Sequence, residues 1–408
     1  MQAEPSTQAV VHAVQQVAWL LLGAALIGIL ARRMRFPYAV ALVIGGLIVE
    51  ESHLIAVPRI DPPVVLFAFL PPLLFDAAFR LDARELRLVL RPVLLLAIPG
   101  VLVTTLVVGG LVSLALGLPI GVALLFGSLV SATDPVAVIA ILKEIALPAR
   151  LLVVPEAESL VNDGMAITLY TGLGGVHANS HLNLGSLGGH FLQEVLLGVA
   201  VGVALGFVCS RLTSTVDDHL IEMMLSVVLA YGSYLVADGL HASGPLACVA
   251  AGIIHGSYGR AFGMSERTSQ LLDDLWEFLG FFANAILFLL VGLNVNLGAL
   301  IADGKAVVVA ILAVIAARVL VVEVVGLLTA RGPLAAPFRE RIVIIWAGLR
   351  GALTIALALG LPNDTPSRDL LINMAFGVVL FTLIAQGLSL GYLVRHLGLR
   401  PASSATTT

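Results

Sequence analysis

The chain has 408 residues, of which 59% are hydrophobic and only 12% are charged. Soluble domains carry roughly 25% charged residues, so this composition excludes a soluble globular protein. The net charge of −4 is small and points to no charged class of partner.

Apolar windows of roughly 20 residues recur along the whole chain, and each is long enough to cross a bilayer as a helix. A transmembrane β-barrel would show shorter segments of alternating polarity instead. We therefore predict an all-α polytopic membrane protein. Its thirteen predicted spans are residues 14–31, 37–57, 63–80, 92–116, 119–142, 151–174, 190–211, 219–238, 242–258, 273–298, 302–328, 341–361 and 369–394.

The distribution of basic residues supports this number of spans. If the segment RRMR (32–35) faces the cytoplasm, every second loop is basic, and one side holds seventeen of the 22 Lys and Arg residues. Cytoplasmic loops carry such an excess. We therefore expect an outer N-terminus, a cytoplasmic C-terminus and no sizeable cytosolic domain. The preference for Arg over Lys indicates a GC-rich bacterial genome, and we expect the protein in the bacterial inner membrane.

Span 63–80 contains the sequence LPPLLFDAAF, in which a carboxylate, Asp76, follows two prolines. Ionisable residues inside spans are costly and are functional-site hypotheses by default. Arg80 follows Asp76 by four residues, the spacing of an ion pair along one helix face. An ion pair near the membrane surface is therefore the alternative, and both interpretations of Asp76 stay open.

Span 119–142 contains SATDPVAV, where Pro135 should interrupt the helix beside Asp134. An interruption releases backbone carbonyls such as that of Thr133. Non-helical backbone at this depth occurs only where it lines a cavity or is buried in protein. Together with a carboxylate, it is typical of a cation site. A simple proline kink capped by Asp134 is a compatible alternative.

Span 151–174 contains PEAESLVNDGMA, with several polar residues in an apolar helix. Asp163 lies roughly 18 Å along this helix, near the bilayer middle. Ser159 precedes it by four residues and shares its face, while Glu158 and Asn162 share another face. Asp163 is thus a candidate cation ligand, although a structural carboxylate held by a buried arginine is the alternative.

Two arginines lie inside the last three spans. Arg318 has no acidic partner in its own turn, and Glu158 is an available carboxylate for it. Arg350 lies in WAGLRGALTIALALG, whose glycines weaken a helix and allow close packing. We expect span 341–361 to be a second interrupted helix, opposite span 119–142.

These four segments together resemble the monovalent cation/proton antiporter family, in its NhaP/NHE-type sodium/proton exchanger branch. The resemblance covers nearly the whole chain. It implies a thirteen-helix inverted-repeat fold with two crossed discontinuous helices. It also implies a homodimer, formed by a dimer bundle beside a mobile core built around 92–175 and 302–395.

The resemblance also implies the roles of the site residues. Asp163, beside Asn162, would alternately bind a proton and a cation, and Glu158 and Arg318 would form an ion pair. Arg350 would lie in the crossing region. Related proteins often carry Glu where this chain has Asp76. The implied Na⁺ ligands are Asp163, Asp134, Ser159 and the main chain of Thr133, with Asp76 as a further cation-binding residue.

Asn162 stands where other branches carry a second aspartate, which implies electroneutral exchange of one Na⁺, or Li⁺, for one proton. The expected partners are a monovalent cation, a proton, membrane lipid and a second copy of the chain. We expect no enzyme activity, no cofactor, no nucleotide and no nucleic acid. A K⁺/H⁺ antiporter on the same fold and, from other classes, a cation channel or a membrane sensor are the alternatives.

Overall fold

The computed structural model of the chain describes residues 7–34, 36–52, 65–135, 138–139, 142, 150–174, 184–329 and 337–399. Within these ranges the regular structure is helical and contains no strand. The helices are α1 (Thr7–Met34), α2 (Tyr38–Ser52), α3 (Leu70–Arg80), α4 (Ala83–Leu116), α5 (Ile120–Leu129), α6 (Arg150–Gly174), α7 (Leu184–Thr213), α8 (His219–Gly239), α9 (Gly244–Ile254), α10 (Glu266–Leu293), α11 (Leu297–Ala302), α12 (Gly304–Thr329), α13 (Phe338–Trp346), α14 (Ala352–Leu359), α15 (Arg368–Phe381) and α16 (Gly387–His396).

Three π-helical turns extend these helices. Val65–Phe69 leads into α3, His255–Gly259 follows α9, and Thr382–Gln386 joins α15 to α16. A single further turn, Arg260–Phe262, continues from the second of them.

Each predicted span overlaps a described helix, and span 341–361, where an interruption was predicted, overlaps two, α13 and α14. Residues 53–57 of the second predicted span, 63–64 of the third, and 136–137 and 140–141 of span 119–142 lie outside the described residues. Six of the helices in the described part of the chain are long and apolar enough to cross a membrane by length and composition alone. They are Arg84–Leu116 within α4, Gly188–Thr213 within α7, His219–Gly239 (α8), Glu266–Leu293 (α10), Gly304–Thr329 (α12) and Arg368–His396, which runs through α15, the π-helical turn Thr382–Gln386 and α16.

Helix α4 begins earlier than the predicted span 92–116. Its N-cap is Asp82, whose side chain accepts a hydrogen bond of 2.7 Å from the amide of Arg84. Because a helix start needs a polar cap and not an apolar window, hydropathy misses the first turns of α4. Pro92 and Pro99 both lie inside this helix.

The helices pack in two groups. In the first, α4 packs against α5, α6 and α12, and α15 packs against α12 and α14. In the second, α10 packs against α2 and α3, and α9 packs against α3, α7 and α8. Apart from the first turns of α4, the first group lies within the two segments predicted for a mobile core, and its mobility stays a prediction.

Helices α2 and α10 cross in close contact at Gly46. A Cβ atom at this position would lie 2.5 Å from the carbonyl oxygen of Leu289 and 2.9 Å from the amide nitrogen of Leu293. Real Cβ atoms do not approach backbone so closely, so the crossing requires glycine. Small residues that allow such close approach are common where membrane helices pack.

We expect Gly46→Ala to lower the melting temperature of the detergent-solubilised protein, because overpacking a tight contact costs about 1–3 kcal/mol. Gly232→Ala on α8 is the matched control, since a Cβ there meets nothing within 4 Å. The control should melt at or above the wild-type temperature, because alanine favours a helix over glycine. Equal melting of Gly46→Ala and wild type would contradict the prediction.

Candidate functional site

Two helix interruptions face each other in the first group. Helix α5 ends at Leu129 and residues 130–135 are not helical, while residues 347–351 separate α13 from α14. The amide of Asp134 donates a hydrogen bond of 2.8 Å to the carbonyl of Leu349. The two non-helical segments therefore pair through their backbones, and the predicted opposition of the two interrupted helices is present.

Arg350 stabilises the non-helical segment that follows α5. Its Nη1 donates hydrogen bonds of 2.6 and 2.7 Å to the carbonyls of Ser131 and Ala132, and the residue is only 1% exposed. Where a helix is interrupted, the carbonyls of the segment that follows have no intrahelical partners and carry partial negative charge. A guanidinium supplies both the hydrogen-bond donors that these carbonyls lack and a positive charge opposite their partial negative charge. The backbone amide of Arg350 in turn donates to Thr382 Oγ1 at 3.1 Å.

Helix α6 is hydrogen-bonded to the non-helical segment after α5 through Thr133. Ser159 Oγ donates to the Thr133 carbonyl oxygen at 2.5 Å, and Asn162 Nδ2 donates to Thr133 Oγ1 at 2.7 Å. The amide of Thr133 completes the set by donating to Asn162 Oδ1 at 3.4 Å. All three residues are buried. Asn162 thus contacts the backbone that was expected to supply a cation ligand.

Asp163 and Asp134 border a cavity of about 360 Å³ between the two helix groups, and Thr133, Ser159 and Asp76 line it as well. Oδ1 of Asp163 is buried and has no hydrogen-bond partner among the described residues. The carboxylate of Asp134 lies against Gly351, where a Cβ atom would collide with it. The structure therefore brings all five predicted cation-binding residues to one cavity.

Glu158 points away from this cavity and pairs with Arg318. Arg318 Nη1 contacts Glu158 Oε1, and Nη2 donates to Glu158 Oε2 at 3.1 Å. Nη2 also donates to the carbonyl of Ile344 at 3.1 Å. The two residues are 1% and 6% exposed, so this bidentate pair links α6 to α12 and α13 within the protein interior.

Asp76 lines the cavity, but its carboxylate is paired within its own helix. Arg80 Nε lies 2.9 Å from Asp76 Oδ1, and Arg80 Nη2 donates to Oδ2 at 3.1 Å. Arg80 Nη1 also donates to Glu277 Oε2 on α10 at 3.1 Å. Sequence reasoning missed Glu277, although an acidic residue near the start of the predicted span 273–298 was an available signal.

The arrangement offers hard oxygen ligands of several kinds around one space: two carboxylates, a hydroxyl and a backbone carbonyl. Such ligands suit hard cations bound by oxygen. A carboxylate that has lost its water is also stabilised by taking up a proton. Chemically, such an arrangement suits both a cation and a proton.

The family described as "Sodium/hydrogen exchanger, transmembrane" matches residues 21–396 of the chain. The chain belongs to this family. It is 38% identical over 371 residues to the Na⁺/H⁺ antiporter ApNhaP of Aphanothece halophytica, an alignment that covers 90% of this chain and 70% of the relative. It is 36% identical over 392 residues to the Na⁺/H⁺ antiporter NhaP of Pseudomonas aeruginosa, covering 91% and 90%.

The fold is also that of a solved antiporter. The sodium proton antiporter MjNhaP1 of Methanocaldococcus jannaschii superimposes with a TM-score of 0.77 at 21% identity, covering 95% of this chain and 99% of that one. The predicted family and the all-α antiporter fold are confirmed. The protein is a multi-pass membrane antiporter that exchanges a cation for protons, and it is a transporter rather than an enzyme.

We expect Arg318→Ala to lower the melting temperature strongly, because it leaves Glu158 buried without a cation. Removing one partner of a buried pair typically costs 3–5 kcal/mol, whereas replacing both with apolar residues is often tolerated. The double variant Glu158→Leu/Arg318→Met should therefore melt well above Arg318→Ala. Thermal melting in detergent measures both, and a wild-type melting temperature for Arg318→Ala would exclude a stabilising role for the pair.

Proposed function

We propose that this antiporter exchanges one Na⁺ for one proton per cycle, with Asp163 as the carboxylate that both ions share. The observation that carries the proposal is the buried, unpartnered Oδ1 of Asp163 at the wall of the cavity. A desolvated negative charge is costly, so the site favours an occupied state. Two ions that neutralise one charge in turn exclude each other, and this exclusion couples their movements.

The neighbouring groups would complete the cation site. Ser159 of α6 lines the same cavity, and so do Asp134 and Thr133 of the non-helical segment after α5. In the structure the hydroxyl of Ser159 donates a hydrogen bond to the carbonyl of Thr133, so the two oxygens lie only 2.5 Å apart. Asn162 would hold the Thr133 segment in position without adding a titratable charge.

Transport would require the site to face each side of the membrane in turn. We propose that the first helix group moves as the core against the second group, which would form a homodimer. The Glu158–Arg318 pair carries no net charge and can move with the core. If the basic loops are cytoplasmic, the N-terminus lies outside and the cavity opens toward the cytoplasm, at the ends of α3 and α10 that carry Arg80 and Glu277.

Sodium is favoured as the transported cation because the named relatives are Na⁺/H⁺ antiporters. Lithium is a further candidate because it is also a small monovalent cation. A K⁺/H⁺ antiporter remains the second candidate, since the ligand oxygens do not distinguish these ions by type.

Asp163→Asn should abolish cation-driven proton movement, because an amide cannot exchange a proton for a cation. We would reconstitute the protein in liposomes containing a pH-sensitive dye and add Na⁺, Li⁺ and K⁺ in turn. Asp238→Asn is the matched control, since Asp238 is exposed at the end of α8 and should retain full activity. Exchange by Asp163→Asn at the wild-type rate would overturn the assignment.

Electroneutral exchange predicts that membrane potential does not affect the ion gradients at which flux stops. Each net charge moved per cycle would couple to about 2.3 kcal/mol per 100 mV. Movement of two protons per Na⁺ would therefore shift the null Na⁺ gradient by about 50-fold at 100 mV. We expect no shift when the null point is measured with and without an imposed potential, and a shift of that size would refute the one-to-one ratio.

A further inference from the structure

A cluster of three charged side chains lies on the wall of the cavity that the second helix group contributes. Arg80, at the end of α3, binds Asp76 one turn earlier and Glu277 on α10, with distances of 2.9 and 3.1 Å between the charged atoms. The cluster faces the same cavity as Asp163. The charged residues that line the cavity are Asp76, Arg80, Asp134, Glu156, Asp163 and Glu277.

Arg80 is the one cation among these lining residues, and it is not needed to join α3 to α10. The side chains of Arg80 and Glu277 are 38% and 68% exposed, and such exposed pairs contribute only about 0–1 kcal/mol. The two helices are already joined in the core, where the ring of Phe75 lies 4.4 Å from that of the fully buried Trp276. Arg80 can therefore have a role other than joining these two helices.

The position of Asp76 is fixed more tightly than that of its partners. Its side chain is 14% exposed and lies against Gly280, where a Cβ atom would come within 2.5 Å of Asp76 Oδ2. Both of its oxygens contact the guanidinium of Arg80. A cation that enters the cavity thus meets two carboxylates, Asp76 and Glu277, whose charge one arginine partly neutralises.

We propose that Arg80 is a fixed internal counter-ion that competes with the entering cation for Asp76 and Glu277, and that it thereby sets the cation affinity of the cavity. This inference rests on the proposed exchange through Asp163. Arg80 acts on the site through charge and does not touch the reacting carboxylate. It is a positioning residue, and Asp76 is a carboxylate of the entrance.

Removing the positive charge should strengthen cation binding. A unit charge roughly 10 Å away changes a binding constant by about two- to fifteen-fold, for dielectric constants between those of water and of a protein surface. Arg80→Gln should therefore lower the KM for the transported cation by about two- to fifteen-fold. Glu277→Gln removes a negative charge from the same cluster and should raise the KM. A structural defect would not produce these opposite signs.

The test uses everted bacterial membrane vesicles, which present the cytoplasmic face to the medium, with Na⁺-driven proton movement followed by a pH-sensitive dye. Measurements at alkaline pH keep protons from competing at Asp163. Arg84→Gln is the matched control, because Arg84 is exposed at the start of α4 and does not line the cavity. Arg80→Lys retains the charge and should stay near the wild-type KM.

The expected result is a lower KM for Arg80→Gln, a higher KM for Glu277→Gln and unchanged values for Arg84→Gln. The decrease should shrink when choline chloride raises the ionic strength, because salt screens exposed charges. An unchanged or raised KM for Arg80→Gln, in vesicles whose wild-type exchange is lost in Asp163→Asn, overturns this inference and leaves the proposed function intact. Exchange that persists in Asp163→Asn overturns both.

Discussion

The guanidinium of Arg350 is the contact on which the site depends. An ion site inside a membrane needs free backbone oxygens, yet unpaired backbone in an apolar environment is costly. The side chain of Arg350 binds the carbonyls of Ser131 and Ala132 in the non-helical segment after α5, and its backbone lies in the interruption between α13 and α14, so this one residue connects the two interruptions. The amide of Asp134 and the carbonyl of Leu349 add a backbone bond between them. The carboxylate of Asp134 and the carbonyl of Thr133 are thereby held beside the cavity.

The charges of the first helix group divide into fixed and exchangeable ones. Glu158 and Arg318 neutralise each other, and Arg350 binds the carbonyls of Ser131 and Ala132 beyond α5. Asp163 has an oxygen that no described residue binds, and in the proposed cycle its charge is the one that the transported ion neutralises. In the proposed cycle, neutralisation at Asp163 removes one charge from the group that moves, which lowers the cost of crossing an apolar barrier.

Hydropathy and the cost of buried charge predicted much of this from the sequence. Apolar windows gave the positions of the spans, Pro135 indicated an interruption, and the need of a buried arginine for a carboxylate connected Arg318 with Glu158. The end of α5 lies at Leu129, several residues before the proline. This earlier end was not predicted, because the guanidinium that binds the carbonyls beyond it belongs to Arg350, more than two hundred positions away. The contact between Arg80 and Glu277 was missed for the same reason, since contacts between distant segments leave no periodic signal.

In the proposed mechanism, a proton and a cation share one carboxylate, that of Asp163. The most direct measurement is the number of protons released when Na⁺ is added to the purified, weakly buffered protein in detergent, followed with a pH indicator. At a pH where Asp163 is protonated before Na⁺ is added, we expect the wild type to release close to one proton per chain. We expect no release from Asp163→Asn. Release of two protons per chain, or equal release from both proteins, would contradict this mechanism.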